Sequence, residues 1–110
     1  MKFNIRLADG YCKEIGGTLL KNVPIKCFVH RGIINIYESN NNDWVVSEFS
    51  SGCRLTQLYK TRKAAIEAAL RLFQSKELKS IEELVNDIIR KYGFANKDES
   101  KKSKEGKEDD

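Results

Sequence analysis

The hydrophobic period of this chain changes once, at Thr61, and that change decides what it can fold into. Before it, apolar and polar residues alternate in short runs, as in half-buried strands; after it, apolar residues recur three and four apart, as in amphipathic helices. Strands followed by helices call for an α+β domain, with an antiparallel sheet of four to five strands and two C-terminal helices packed on one face.

In the strand half, Phe3, Ile5 and Leu7 alternate with Asn4 and Arg6, and Asp9-Gly10 closes the run. Residues 11–20 are ambiguous; Gly16-Gly17 reads as a turn into a short strand over residues 18–20. The stretch VPIKCFVHRGIINIYES holds two strand-like runs about a turn at His30-Arg31-Gly32. Val23, Ile25, Cys27 and Val29 fall on one face, Lys26 and Phe28 on the other. On the return run Ile34 and Ile36 oppose Asn35 and Tyr37. Residues 39–43 form a polar loop, and WVVSEF and CRLTQLY make a second hairpin about Ser50-Ser51-Gly52.

In the helical half, Thr61 is placed as an N-cap, with Ala65, Ile66, Ala69, Leu70 and Phe73 forming the buried stripe. Ser80 and Glu83 have capping-box spacing ahead of a second stripe, Ile81, Leu84, Val85, Ile88, Ile89 and Tyr92. Gly93 supplies the C′ stop.

Among 110 residues there is room for one domain, assigned to residues 1–95. Residues 96–110 contain five lysines, six acids and no apolar side chain, so they are expected to form a disordered charged tail. Of the net charge of +4, the tail carries −1 and residues 1–95 carry +5, which favours anionic partners. No apolar run approaches the ~20 residues that span a bilayer, and MKFNIRLADG has no continuous signal-peptide core. A cytoplasmic protein without a membrane partner is the expectation.

The chemistry-bearing residues are few. Three cysteines, Cys12, Cys27 and Cys53, leave one over in any disulfide scheme and read as free thiols. Cys27 and His30 have C-x-x-H spacing, but residues three apart on a strand face opposite sides, and one histidine is too few for an ordinary metal site. His30, placed in a hairpin turn, reads as an ordinary exposed side chain. Glu48, Glu67, Glu82, Glu83 and Asp87 read mostly as solubilising charges on helix exteriors. No phosphate-loop motif is present. The expectation is a non-enzymatic binding protein with no cofactor and no metal.

Two surfaces are candidates for binding. Lys60, Arg62 and Lys63 crowd a helix start whose free N–H groups already carry partial positive charge. A bound phosphate would turn that opposition into attraction; alternatively the long side chains swing into water and the penalty shrinks. Arg54 and Lys21 extend the patch. The second is the sheet face left open by the helices, showing Lys26, Phe28, Asn35 and Tyr37, with Trp44 or Glu48 nearby. Interleaved aromatic and basic residues there suit single-stranded nucleic acid, while a homodimer or cover by the segment around Tyr11 would serve the same apolar surface.

Two resemblances follow from these residues. The hairpin and basic helix start over residues 44–74 resemble the second half of double-stranded-RNA-binding domains. The likeness implies phosphate contacts for Lys60, Arg62 and Lys63, and packing roles for Ala64, Ala65, Ala68 and Ala69. WVVSEFSSGCRLTQLYKTRKAAIEAA, in a likeness that spans roughly residues 44–70, resembles a pattern in short uncharacterised proteins of phages and mobile elements. That pattern is a Trp-led strand, a Ser-Gly turn, a return strand, Thr-Arg-Lys and an Ala-rich helix. It implies a small accessory protein and no particular activity; the leading expectation, taken with the basic patch, is an accessory factor that contacts nucleic acid or a nucleic-acid-handling protein. The alternative is a protein–protein module or homodimer, including an inhibitor of a host defence protein.

Overall fold

The computed structural model describes residues 1–32, 43–75 and 77–97. Four strands, β1 (Lys2–Arg6), β2 (Cys12–Leu19), β3 (Cys27–Arg31) and β4 (Trp44–Glu48), precede two helices, α1 (Arg62–Phe73) and α2 (Leu78–Tyr92). The strands pair antiparallel in the order β1-β2-β3-β4, so the fold is α+β, as the change of period requires.

The Gly16-Gly17 pair does not turn the chain. It lies inside β2, where the strand changes partner: Lys2 pairs with Gly16, and Gly17 pairs with His30. A Cβ on Gly17 would sit 2.9 Å from the Val29 carbonyl oxygen and 3.2–3.3 Å from the Phe28 and Phe3 rings, whereas one on Gly16 would find its nearest neighbour at 3.8 Å. Missing side chains are what let β2 bend. The bend carries β1 over β3: the Phe3 ring stacks on Phe28 with centroids 4.3 Å apart. The sheet is thus a partly closed roll. The Arg6 amide reaches the Gly52 carbonyl at 2.9 Å, bringing β1 against the segment that follows β4.

Beyond β4 the chain turns at Ser50-Ser51-Gly52, Gly52 having φ +74°. The return run is no continuous strand; it touches β4 at two isolated bridges, Ser47 with Arg54 and Trp44 with Tyr59. The Thr56 hydroxyl intervenes by accepting from the Val46 amide at 3.1 Å.

β3 and β4 therefore have two covered faces. On one, Cys27, Val29 and Val46 meet Ala65, Ala69 and Phe73 of α1, with Val23 and Ile25 against them. The two alanines are fully buried, and their small size lets the helix lie close to the sheet. On the other face Phe28 packs with Phe3 and Ile5, flanked by Ile15, Leu19 and Phe49.

Thr61 caps α1 as expected: its backbone is extended and its Oγ1 accepts from the Ala64 amide at 3.1 Å. Leu70, expected in the core, is 39% exposed on the rim of the helix. The Ser80–Glu83 box is not used. α2 begins earlier, at Leu78, so Ser80 lies inside the helix, and Glu77 caps it without a side-chain bond. Helical geometry extends back because Leu78 joins the α1-side core, a tertiary gain that outweighs the local cap. Ile81 and Val85 are buried, Leu84 and Tyr92 exposed, and Gly93 ends the helix with φ +89°.

Asn96, the first residue assigned to the charged tail, is bound into the fold. Its Oδ1 accepts from the Asn4 amide at 2.8 Å, and its Nδ2 donates to the Asn4 and Phe49 carbonyls, each at 2.8 Å.

Candidate anion-binding surfaces

Lys60, Arg62 and Lys63 stand exposed around the capped start of α1, with no acidic residue in its first turn. Arg62 also lines a cleft of about 300 Å³ with Lys21, Leu20, Val23, Ile66 and Leu70. Cations from α1 and from the β2–β3 connection thus border one apolar depression. Arg54 is not part of this patch. It bridges Ser47, whose side chain points away from α1, and it lines a different cleft with His30 and Ser47. The strand alternation puts Arg54 across the sheet from Arg62.

The proposed open sheet face is covered. Phe28 is fully buried beneath β1 and offers no contact surface. Lys26 is exposed, with its Nζ 4.2 Å from the centre of the Phe49 ring. Asn35 and Tyr37, with the whole return run 33–42, lie outside the described residues. Trp44 belongs to the α1 side, its ring 4.5 Å from the Arg31 guanidinium. Glu48 is neither a surface charge nor a sheet-face contact. Buried, its carboxylate accepts from the amides and hydroxyls of both Ser50 and Ser51 at 2.6–2.9 Å and so organises the turn.

His30 is the largest departure from the sequence reading. It is only 3% exposed, in β3 and not in a turn. Its Nδ1 lies 2.7 Å from the Arg31 carbonyl oxygen, which can only accept, so Nδ1 carries the proton. Nε2 is then an acceptor, 2.8 Å from Ser47 Oγ, and takes the serine proton. Burial pushes the His30 pKa below its ordinary value, and the bond to the Arg31 carbonyl opposes this only in part. Alternation held the signal for its placement: the period that buries Phe28 buries His30 two residues on.

The thiols are free, Cys12 exposed and Cys27 buried. Burial, with a smaller contribution from Glu48, pushes the Cys27 thiol up to about 12, which makes it a poor nucleophile and a poor ligand. Cys27 packs on the α1 side and His30 on the other, so they share no site. Among the described residues no group of three or more His, Cys, Asp or Glu side chains could hold a metal ion, and no helix is long and apolar enough to cross a membrane. Neither a protein-family model, nor a curated protein, nor a solved structure matches this chain.

Proposed function

We infer that this is a small non-enzymatic, cytoplasmic binding protein, and that it contacts nucleic acid, or a protein that handles it, through the basic start of α1. The meeting of Arg62 and Lys21 on one cleft, beside Lys60 and Lys63, carries this reading. Cations from separate elements share a surface without an acid in the helix's first turn, so a phosphate there meets several positive groups at once. The residues involved are Lys60, Arg62 and Lys63, joined by Lys21 in place of Arg54.

The test is binding of a labelled duplex and a labelled single strand at two salt concentrations. Affinity should fall steeply as salt rises, because phosphate contacts release counterions. Changing Lys60, Arg62 and Lys63 together to Ala should weaken binding by at least about tenfold and flatten the salt slope. Absence of binding at low salt, or an unaffected triple variant, rejects the reading.

A protein–protein or homodimeric role, including inhibition of a defence protein, is the second reading. It loses the sheet face and rests instead on α2, where Leu84 and Tyr92, with Phe94 just beyond, are each about half exposed. Solution mass at high concentration decides the homodimer: a monomer removes it.

A further inference from the structure

The cleft on the β1 side of the sheet is a built cavity that the basic helix start does not touch. Its volume is about 360 Å³, within the range of small-molecule sites. Ile5, Val45 and Leu58 give it apolar walls, and the buried pair His30 and Ser47 lines it more deeply. The charged residues that line it, Arg6 and Arg54, are both cations.

These two cations play different parts. Arg6 is anchored: its Nε, Nη1 and Nη2 donate to the carbonyls of Ser51, Gly10 and Gly93 at 3.2, 2.9 and 2.7 Å. Those carbonyls and the Tyr92 ring, whose centre is 5.4 Å from Cζ, hold the guanidinium on groups that do not line the cleft, and among the described residues neither arginine has an ion-pair partner. Arg54 is exposed, and its side chain is not engaged in a hydrogen bond among the described residues. The deeper pair is neutral and already satisfied, the Ser47 proton going to His30 Nε2 and the His30 proton to the Arg31 carbonyl. With its proton committed, Ser47 offers only lone pairs to the cleft, which would repel an anion. Negative charge is therefore favoured at the arginine end and disfavoured beside the serine.

We propose that this cleft binds a small organic anion, a carboxylate or phosphate monoester, with its charged head on the Arg54 guanidinium and its apolar body between Ile5, Val45 and Leu58. Arg54 supplies a planar fork of donors for either head group. Arg6 borders the cleft, but its guanidinium is committed to carbonyls and a ring that do not line it, so the cation that meets the head group is Arg54. His30 and Ser47 hold the deeper lining rigid, since each side chain is locked by the other. The proposal is independent of nucleic-acid binding at α1, which lies across the sheet.

The test is a titration of the ¹⁵N-labelled protein with benzoate, phenyl phosphate and neutral benzyl alcohol, followed by amide shifts. At probe concentrations up to about 10 mM even a site of ~1 mM affinity fills. Both anions should give saturable shifts centred on Arg6, Leu7, Gly52 and Arg54, and benzyl alcohol should bind at least about tenfold more weakly. Arg54→Gln should cost about tenfold for both anions, while Arg54→Lys should retain more of the affinity. Arg54 is exposed, so spectra of both variants should match the parent away from the cleft. The Lys60, Arg62, Lys63 triple-alanine variant should bind the probes as the parent does. Lack of saturable shifts, equal binding of benzyl alcohol, or an unchanged affinity in Arg54→Gln overturns the proposal. So would anion shifts centred on Lys21 and Arg62, which would assign the anions to the α1 surface.

Discussion

The two faces of β3 and β4 are covered by different means. On one, α1 lays Ala65, Ala69 and Phe73 on Cys27, Val29 and Val46, an apolar contact made by a helix. On the other, β1 folds back through the glycine pair and lays Phe3 and Ile5 on Phe28, leaving the His30–Ser47 pair and an open cleft beside them. The helix-covered face is packed beneath α1 and keeps its cleft and cations at the helix start. The strand-covered face leaves room beside a buried polar pair with the Arg54 cation at its border, the ingredients of a small-ligand site.

The largest expected effect tests whether the strand cover is part of the core or only lies upon it. Phe28 is fully buried and stacked on Phe3, so Phe28→Ala removes a large side chain between two strands that cannot easily collapse together. We expect a loss of about 3–5 kcal/mol in denaturant unfolding. A loss under about 1 kcal/mol would mean that β1 is not held over β3.

The bend itself is tested by a neighbouring pair of substitutions. Gly17→Ala places a methyl group 2.9 Å from the Val29 carbonyl oxygen, in backbone that cannot swing away, while Gly16→Ala meets nothing closer than 3.8 Å. The first should cost about 1–3 kcal/mol by overpacking, the second less than about 0.5 kcal/mol. Equal effects would show that the bend does not depend on the missing Cβ of Gly17.

The contrast between the faces also explains what could be read in advance. The helix-covered face was legible: Thr61 caps α1, Ala65 and Ala69 face the sheet, and Val23, Ile25, Cys27 and Val29 lie together as alternation requires. Those signals are local, each carried by neighbours within a turn or two. The strand-covered face was not, because covering Phe28 depends on β2 changing partners at Gly17, and the same Gly-Gly pair serves a turn or a bent strand equally well. Once β1 lies over β3, the aromatic surface of Phe28 becomes core and His30 follows it inward. Of the basic patch, Lys60, Arg62 and Lys63 stay together because they are adjacent in sequence. Arg54 is separated from them by side-chain alternation on a return run that is broken between its two bridges.

A gentler perturbation, pH, distinguishes the faces by sign. His30 sits on the strand-covered face with its folded pKa below the ordinary 6.5. As pH falls through that value the unfolded chain takes up a proton that the folded protein resists, so stability falls on acidification and levels off below the folded pKa. Cys27, on the helix-covered face, behaves oppositely. Its folded pKa is raised from 9.0 to about 12, so above pH 9 the unfolded chain loses a proton that the folded protein keeps, and stability falls as pH rises. Unfolding free energies across pH should therefore show an acid slope that His30→Gln removes and an alkaline slope that Cys27→Ala reduces, the remainder coming from Cys53, whose thiol burial also pushes up, each variant leaving the other slope intact. Amide exchange should locate them, with acid loosening β1 over Phe28 and alkali loosening α1 against Val29 and Val46. If His30→Gln left the acid slope unchanged, the titrating group would lie elsewhere, and the neutral His30–Ser47 pair would not be what makes the strand-covered face sensitive to acid.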